Sequence, residues 1–67
     1  MSEHQRIAVA AVMDKTITRR SMAGLYAACI RAALRVESVD WIVLNAAIVS
    51  RWPKGLVWIK EQAWKKL

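Results

Sequence analysis

Residues 38–52, SVDWIVLNAAIVSRW, form the stretch that decides the predicted fold. The run is too long for a typical buried strand and does not alternate, so its spacing predicts a helix. Ser38 can cap the start, and Asp40 suits the positive end of the helix dipole in the first turn. Pro53 ends the helix, because proline disfavours helical geometry in the residue before it. One face of this helix carries Trp41, Leu44, Asn45, Ile48 and Trp52.

The sides of this predicted helix away from that face are also apolar. Ile42 and Val49 widen the face, and Ala46 and Ala47 leave the opposite side without charge. A helix that is apolar nearly all the way round must be covered on several sides, so we expect the other segments to pack around it. Asn45 is polar within the apolar face, and we interpret it as a hydrogen-bonded core residue rather than a ligand contact.

Two further segments have helical periodicity. Residues 19–35 predict an amphipathic helix that Thr16 or Thr18 can cap. Residues 56–67 predict the last helix, with Trp64 and Val57 beside its core face. The apolar stripe of the earlier helix is predicted to hold Met22, Leu25, Tyr26, Cys29, Ile30, Ala33 and Val36, and that of the last helix Leu56, Ile59, Ala63 and Leu67.

The amino-terminal segment, residues 2–13, has no clean apolar face. Ser2 and Gln5 have the spacing of a capping box, which favours a helix. A strand over residues 6–13 is the alternative, but the chain offers it no convincing partner strand. The whole pattern predicts one all-α domain, residues 1–67, built as a compact bundle of three to four short helices. The last two helices, joined by a short turn, could form a helix-turn-helix-like pair.

Composition limits the classes of function. The chain is 57% hydrophobic, which is high for 67 residues and favours a homo-oligomer or a complex with another protein. Eleven Lys and Arg residues against five acids give a net charge of +6, which favours phosphate backbones, acidic proteins or anionic membranes as partners. The single cysteine, Cys29, and the lack of a signal peptide or a membrane-spanning run predict a cytoplasmic protein.

Two exposed surfaces are candidates for contact with nucleic acid or a protein partner. One is an arginine stripe on the second predicted helix, where glycine and alanine between the arginines would let a phosphate backbone or another helix approach. The other is the outward face of the last helix, where a tryptophan among lysines could stack on a base or anchor an interface. The candidate residues are Arg20, Arg31, Arg35, Lys54, Trp58, Gln62, Lys65 and Lys66. A solvated polar face is the alternative for the arginine stripe, and Trp58 could instead fold back onto a neighbouring helix.

Catalysis finds little support in this sequence. The five acids are scattered, and the only histidine, His4, is far from Cys29, so no catalytic residue, metal ligand or cofactor is predicted. Trp41, Trp52 and Trp64 are expected in the core. The leading prediction is a non-catalytic basic module that binds nucleic acid, DNA or RNA undecided, with little dependence on sequence. The alternative is a small accessory subunit or regulator that docks on a larger acidic protein, and a peripheral membrane peptide ranks last.

Overall fold

The computed structural model describes residues 2–67 and confirms the all-α prediction. Four helices follow one another along the chain: α1 Glu3–Val12, α2 Arg19–Leu34, α3 Trp41–Arg51 and α4 Leu56–Lys65. Residues 6–12 therefore belong to a helix, and no strand occurs within the described part of the chain. Trp41 and Trp52 are half-buried beside the core, in keeping with their predicted placement.

Side chains cap three of the four helices. Ser2 Oγ accepts a hydrogen bond from the Gln5 N–H at 3.1 Å, and Thr18 Oγ1 accepts one from the Ser21 N–H at 3.1 Å. The predicted cap at Ser38 is wrong, because α3 is capped by Asp40, whose carboxylate accepts from the Val43 N–H at 3.2 Å. The Asp40 N–H, which a cap at Ser38 could have used, instead donates to Gln5 Oε1 at 2.6 Å.

Helix α2, rather than α3, is the centre of the bundle. It packs along α1 on one side and α4 on the other, while α3 packs on α1 and touches α4 only lightly. Contacts at both ends show that α2 and α4 run in the same direction: Arg19 lies beside Trp58, and Arg31 beside Lys66. Helices α1 and α3 are also parallel, because Gln5 contacts Asp40 at their starts and Val12 contacts Arg51 at their ends.

The core lies mainly between α2 and its two neighbours. The predicted stripe of α2 is confirmed for four of its members, which are buried. Alanines on α2 are buried too, which lets neighbouring backbones approach closely. The buried apolar residues are Ala8, Val12, Met22, Ala23, Tyr26, Ala27, Cys29, Ile30, Ala32, Leu44, Ile48, Ile59 and Ala63.

The prediction that α3 is covered on several sides is wrong. Only Leu44 and Ile48 are buried, whereas Ile42 is 83% exposed and Val43 and Val49 are also exposed. The prediction of a core position for Trp64 is wrong as well, since its side chain is 59% exposed. A bundle of this size has too few helices to surround one of them, so apolar residues are left at the surface.

The connection between α2 and α3 contains a strained residue. Val36 has φ 66°, in the left-handed region, and is 94% exposed, so its predicted place on the apolar stripe is wrong. The Val36 N–H donates to Ala33 O and the Glu37 N–H to Ala32 O, both at 3.0 Å. This is a Schellman motif, which terminates α2 at the residue where glycine is the usual choice.

Arg51, in the last turn of α3, fixes the connection between α1 and α2. Its guanidinium donates to four backbone carbonyl oxygens, and its carbon Cζ lies 4.3 Å from the centre of the Trp52 ring. The fork of five N–H donors on arginine makes so many simultaneous contacts possible. The acceptors are Val12 O at 3.2 Å, Asp14 O at 2.6 Å, Lys15 O at 3.1 Å and Ile17 O at 2.7 Å.

Candidate functional site: two basic clusters and an apolar groove

The starts of α2 and α4 bring together a first basic cluster, Arg19, Lys54 and Trp58. The Arg19 guanidinium carbon lies 6.0 Å from the centre of the Trp58 ring, which is 40% exposed. Gly55 permits this approach, because a Cβ there would lie 2.8 Å from Trp52 Cβ and 3.4 Å from Arg19 Cδ. The predicted contact residues Lys54 and Trp58 each lie near Arg19, a member of the cluster that sequence reasoning missed.

The amino-terminal end of α4 adds positive potential to the first cluster. Gly55 occupies the capping position and no side chain caps the helix. The first N–H groups of a helix carry partial positive charge and favour anions. Arg19 and Lys54 line a shallow pocket of about 360 Å³ at this end of the helix, beside Arg51, whose guanidinium is already hydrogen-bonded to backbone carbonyls. The polar chemistry of the pocket therefore suits an anionic group.

The opposite ends of α2 and α4 form a second basic cluster, Arg31, Lys65 and Lys66. Arg31 Nη2 donates to the backbone oxygen of Lys66 at 2.8 Å, which ties the end of α4 to α2. All three side chains are exposed. Arg31 is thus partly engaged in holding the fold, while both lysines extend into solvent beside it. Arg35, at the end of α2, is exposed as well.

The predicted arginine stripe on α2 is interrupted. Arg20 and Arg31 are exposed, but Ala27 between them is fully buried in the core. The proposed approach of a phosphate backbone over the small residues is therefore wrong at Ala27, where helix packing covers the position. Gly24 is more open, since nothing lies within 4 Å of a Cβ built there. Gln62, the remaining predicted contact residue, is half-buried on α4.

The distance between the two basic clusters and the charge of the chain determine which partner could bind both clusters at once. Arg19 and Arg31 are twelve residues apart on α2, which corresponds to about 18 Å along the helix axis. The net charge of +6 favours an anionic external partner.

An apolar groove lies between α2, α3 and α4 where the last two helices diverge. Its floor is α2, and each wall contributes two residues one turn apart: Trp41 and Asn45 from α3, Lys60 and Trp64 from α4. The cavity volume is about 510 Å³, and the exposed surface of its lining is mostly apolar. The floor residues are Tyr26, Ile30, Ala33 and Leu34.

Asn45 is hydrogen-bonded as predicted, but it lies half-buried on the wall of the groove rather than in the core. The Tyr26 hydroxyl donates to Asn45 Oδ1 at 2.9 Å, and burial raises the pKa of Tyr26 above its ordinary value. The Tyr26 and Trp41 rings lie 5.5 Å apart with a tilt of 41°. Because Oδ1 is engaged with Tyr26, the amide nitrogen of Asn45 is left as a hydrogen-bond donor on the wall of the groove.

Among residues 2–67, the titratable side chains do not gather into a metal site. In the part of the chain that the structure describes, no group of three or more His, Cys, Asp or Glu residues is placed to hold an ion. Cys29 is buried, and desolvation raises its pKa to about 11, so the nucleophilic thiolate is disfavoured. None of the helices within residues 2–67 has the length and hydropathy needed to cross a bilayer.

Comparison with known proteins gave no relatives. No protein-family model, no curated protein and no solved structure matches the chain.

Proposed function

We propose that this protein is a non-catalytic basic helical module that binds the phosphate backbone of nucleic acids within a larger assembly. The observation that carries the proposal is the pairing of α2 with α4. This pairing places cations from separate parts of the sequence together at both ends of one helix pair. A localised set of cations distinguishes such a surface from a merely basic composition.

Each cluster would have a defined part in binding. Arg19 and Lys54 would contact phosphates, and the half-exposed Trp58 ring would stack on a base or pack against a sugar. Lys65 and Lys66 would make the second set of phosphate contacts. The separation of about 18 Å matches about five phosphates at 3.4 Å per residue of one strand. None of these contacts reads a base edge in a fixed geometry, so binding is expected to depend little on sequence.

The test is fluorescence polarisation with labelled duplex and single-stranded oligonucleotides at several salt concentrations. Four phosphate contacts predict a slope of about −3.6 in log K against log salt for duplex DNA, which is a loss of about 100-fold between about 50 and 200 mM. Binding that does not change with salt would contradict the proposal.

Two matched lysine variants locate the site. Lys54→Glu should weaken binding several-fold more than Lys60→Glu, since both change the charge equally but Lys60 lines the apolar groove and belongs to neither cluster. Trp58→Ala should weaken binding to single strands most, because stacking on the ring is lost. Equal effects of the two lysine variants would mean that only net charge matters and that the first cluster is not a site.

The second candidate function is a small subunit that docks on a larger acidic protein. The groove favours it, because apolar surface that remains open in so small a chain marks an interaction site. Formation of a homo-oligomer would also cover this open apolar surface. For either function we propose a cytoplasmic location, which the lone Cys29 favours.

A further inference from the structure

We infer that the groove between α2, α3 and α4 binds two turns of an amphipathic helix from an acidic partner protein. The inference is independent of nucleic-acid binding, since the lining of the groove includes none of Arg19, Lys54 or Trp58. It assigns to the second candidate function a definite site and a definite kind of ligand.

The dimensions of the groove fit this occupant. The floor extends from Tyr26 to Leu34, which is about 12 Å along α2 at 1.5 Å per residue. Two turns of a helix span about 11 Å and present apolar anchors at i, i+3, i+4 and i+7. The floor therefore accommodates one such set of anchors. Trp41 on one wall and Trp64 on the other provide the large rigid surfaces that dominate binding energy at interfaces.

The polar groups of the groove select the charge of the partner. Lys60 lines one wall with a cationic amine, and Asn45 lines the other with its unengaged amide nitrogen. Both groups are donors, and the lining contains no acidic side chain. A ligand that brings apolar anchors flanked by carboxylates would satisfy both donors, whereas a basic ligand would face Lys60 with like charge.

The same charges argue against a second copy of this chain as the occupant. Lys60 is the charged residue of the groove lining, which contains no acidic side chain. Two copies joined at this face would place both Lys60 amines in one interface without a carboxylate from either lining. Such like-charge contacts oppose association.

The test uses a synthetic helix-forming peptide of about 14 residues with leucine at i, i+3, i+4 and i+7 and glutamate beside these anchors. Binding is measured by calorimetry and by the fluorescence of Trp41 and Trp64, which line the groove. The control peptide replaces each glutamate with lysine. The acidic peptide should bind at least about tenfold more tightly than the basic one.

Variants of the protein show whether the peptide occupies the groove. Trp64→Ala and Lys60→Glu should each weaken the acidic peptide by about tenfold, and both residues are exposed, so the fold is not at risk. Lys54→Glu is the control, because it makes the same change of charge outside the groove and should leave the affinity within about twofold. Lys54→Glu tests the site proposed for nucleic acid, and Lys60→Glu tests the site proposed for the peptide. Failure of one proposal therefore does not imply failure of the other.

Several results would overturn the inference. Equal affinity for acidic and basic peptides would exclude the role of Lys60 and Asn45. Unchanged peptide binding by Trp64→Ala would place the peptide elsewhere. A stable dimer of the unliganded chain that Trp64→Ala dissociates would assign the groove to a second copy. If an oligonucleotide displaces the acidic peptide, and still does so in the Lys54→Glu variant, the groove would be assigned to nucleic acid.

Discussion

Arg51 offers the sharpest test of how this bundle is held together. Its guanidinium reaches four carbonyl oxygens in the connection between α1 and α2, from a position 34 to 39 residues away in sequence. Arg51→Met would keep most of the aliphatic stem and remove all of these hydrogen bonds.

The expected cost follows from the surroundings of each acceptor. The bonds to Val12 O and Ile17 O are partly buried, and losing each should cost about 1 kcal/mol. The bonds to Asp14 O and Lys15 O are exposed, so water replaces them at little cost. Loss of the stacking on Trp52 adds about 0.5 kcal/mol, which brings the total to about 2–3 kcal/mol.

The assay is equilibrium unfolding in urea and by heat, followed by circular dichroism. A loss of 2–3 kcal/mol should lower the Tm of a chain of this size by about 10–20 °C. Arg20→Met is the matched control, because that side chain is exposed and forms no hydrogen bond among residues 2–67, and its effect should stay within about 0.5 kcal/mol. If Arg51→Met is no more destabilising than Arg20→Met, Arg51 does not hold the connection.

Two further predictions concern glycine and cysteine. Gly24→Ala should stabilise the protein by about 0.5–1 kcal/mol, since a Cβ meets nothing within 4 Å there, whereas Gly55→Ala should destabilise it by about 1–3 kcal/mol against Trp52 Cβ at 2.8 Å. The contrast would be refuted if both substitutions shifted the urea midpoint of unfolding in the same direction. Cys29, with its pKa raised from 9.0 to about 11, should react with a thiol reagent at about pH 8 at least about 100-fold more slowly in the folded than in the unfolded protein. Cys29 stays protonated to a higher pH in the folded protein than in the unfolded one. The free energy of unfolding should therefore fall as pH rises from 9 towards 11, and Cys29→Ala should reduce this fall.

The parts of the fold that could be predicted are those decided within a few residues. Ser2 and Thr18 cap their helices because the N–H groups they accept from lie three residues away. Pro53 ends α3 by its own geometry. Ser38 failed as a cap for a reason outside its neighbourhood, since Gln5, from α1, holds the Asp40 N–H.

The parts that could not be predicted depend on which helices meet. The apolar character of α3 gave no sign that Ile42 would be left in solvent, because burial depends on neighbours and not on the residue itself. Trp64 was expected in the core and instead forms a wall of the groove. For the basic clusters, sequence reasoning found Lys54 and Trp58 but missed Arg19, which joins them only through the parallel packing of α2 and α4.

The pairing of parallel helices has a consequence for how quickly the chain folds. The contacts that align α1 with α3 join residues separated by 35 and 39 positions, more than half the length of the 67-residue chain. A bundle whose helices pack on their sequence neighbours needs only local contacts and reaches its native state in microseconds to milliseconds. Here the chain between α1 and α3, which includes α2, must bring the two helices together before either contact forms. The entropy lost in that closure raises the barrier to folding. The chain should therefore fold more slowly than an up-and-down bundle of equal length.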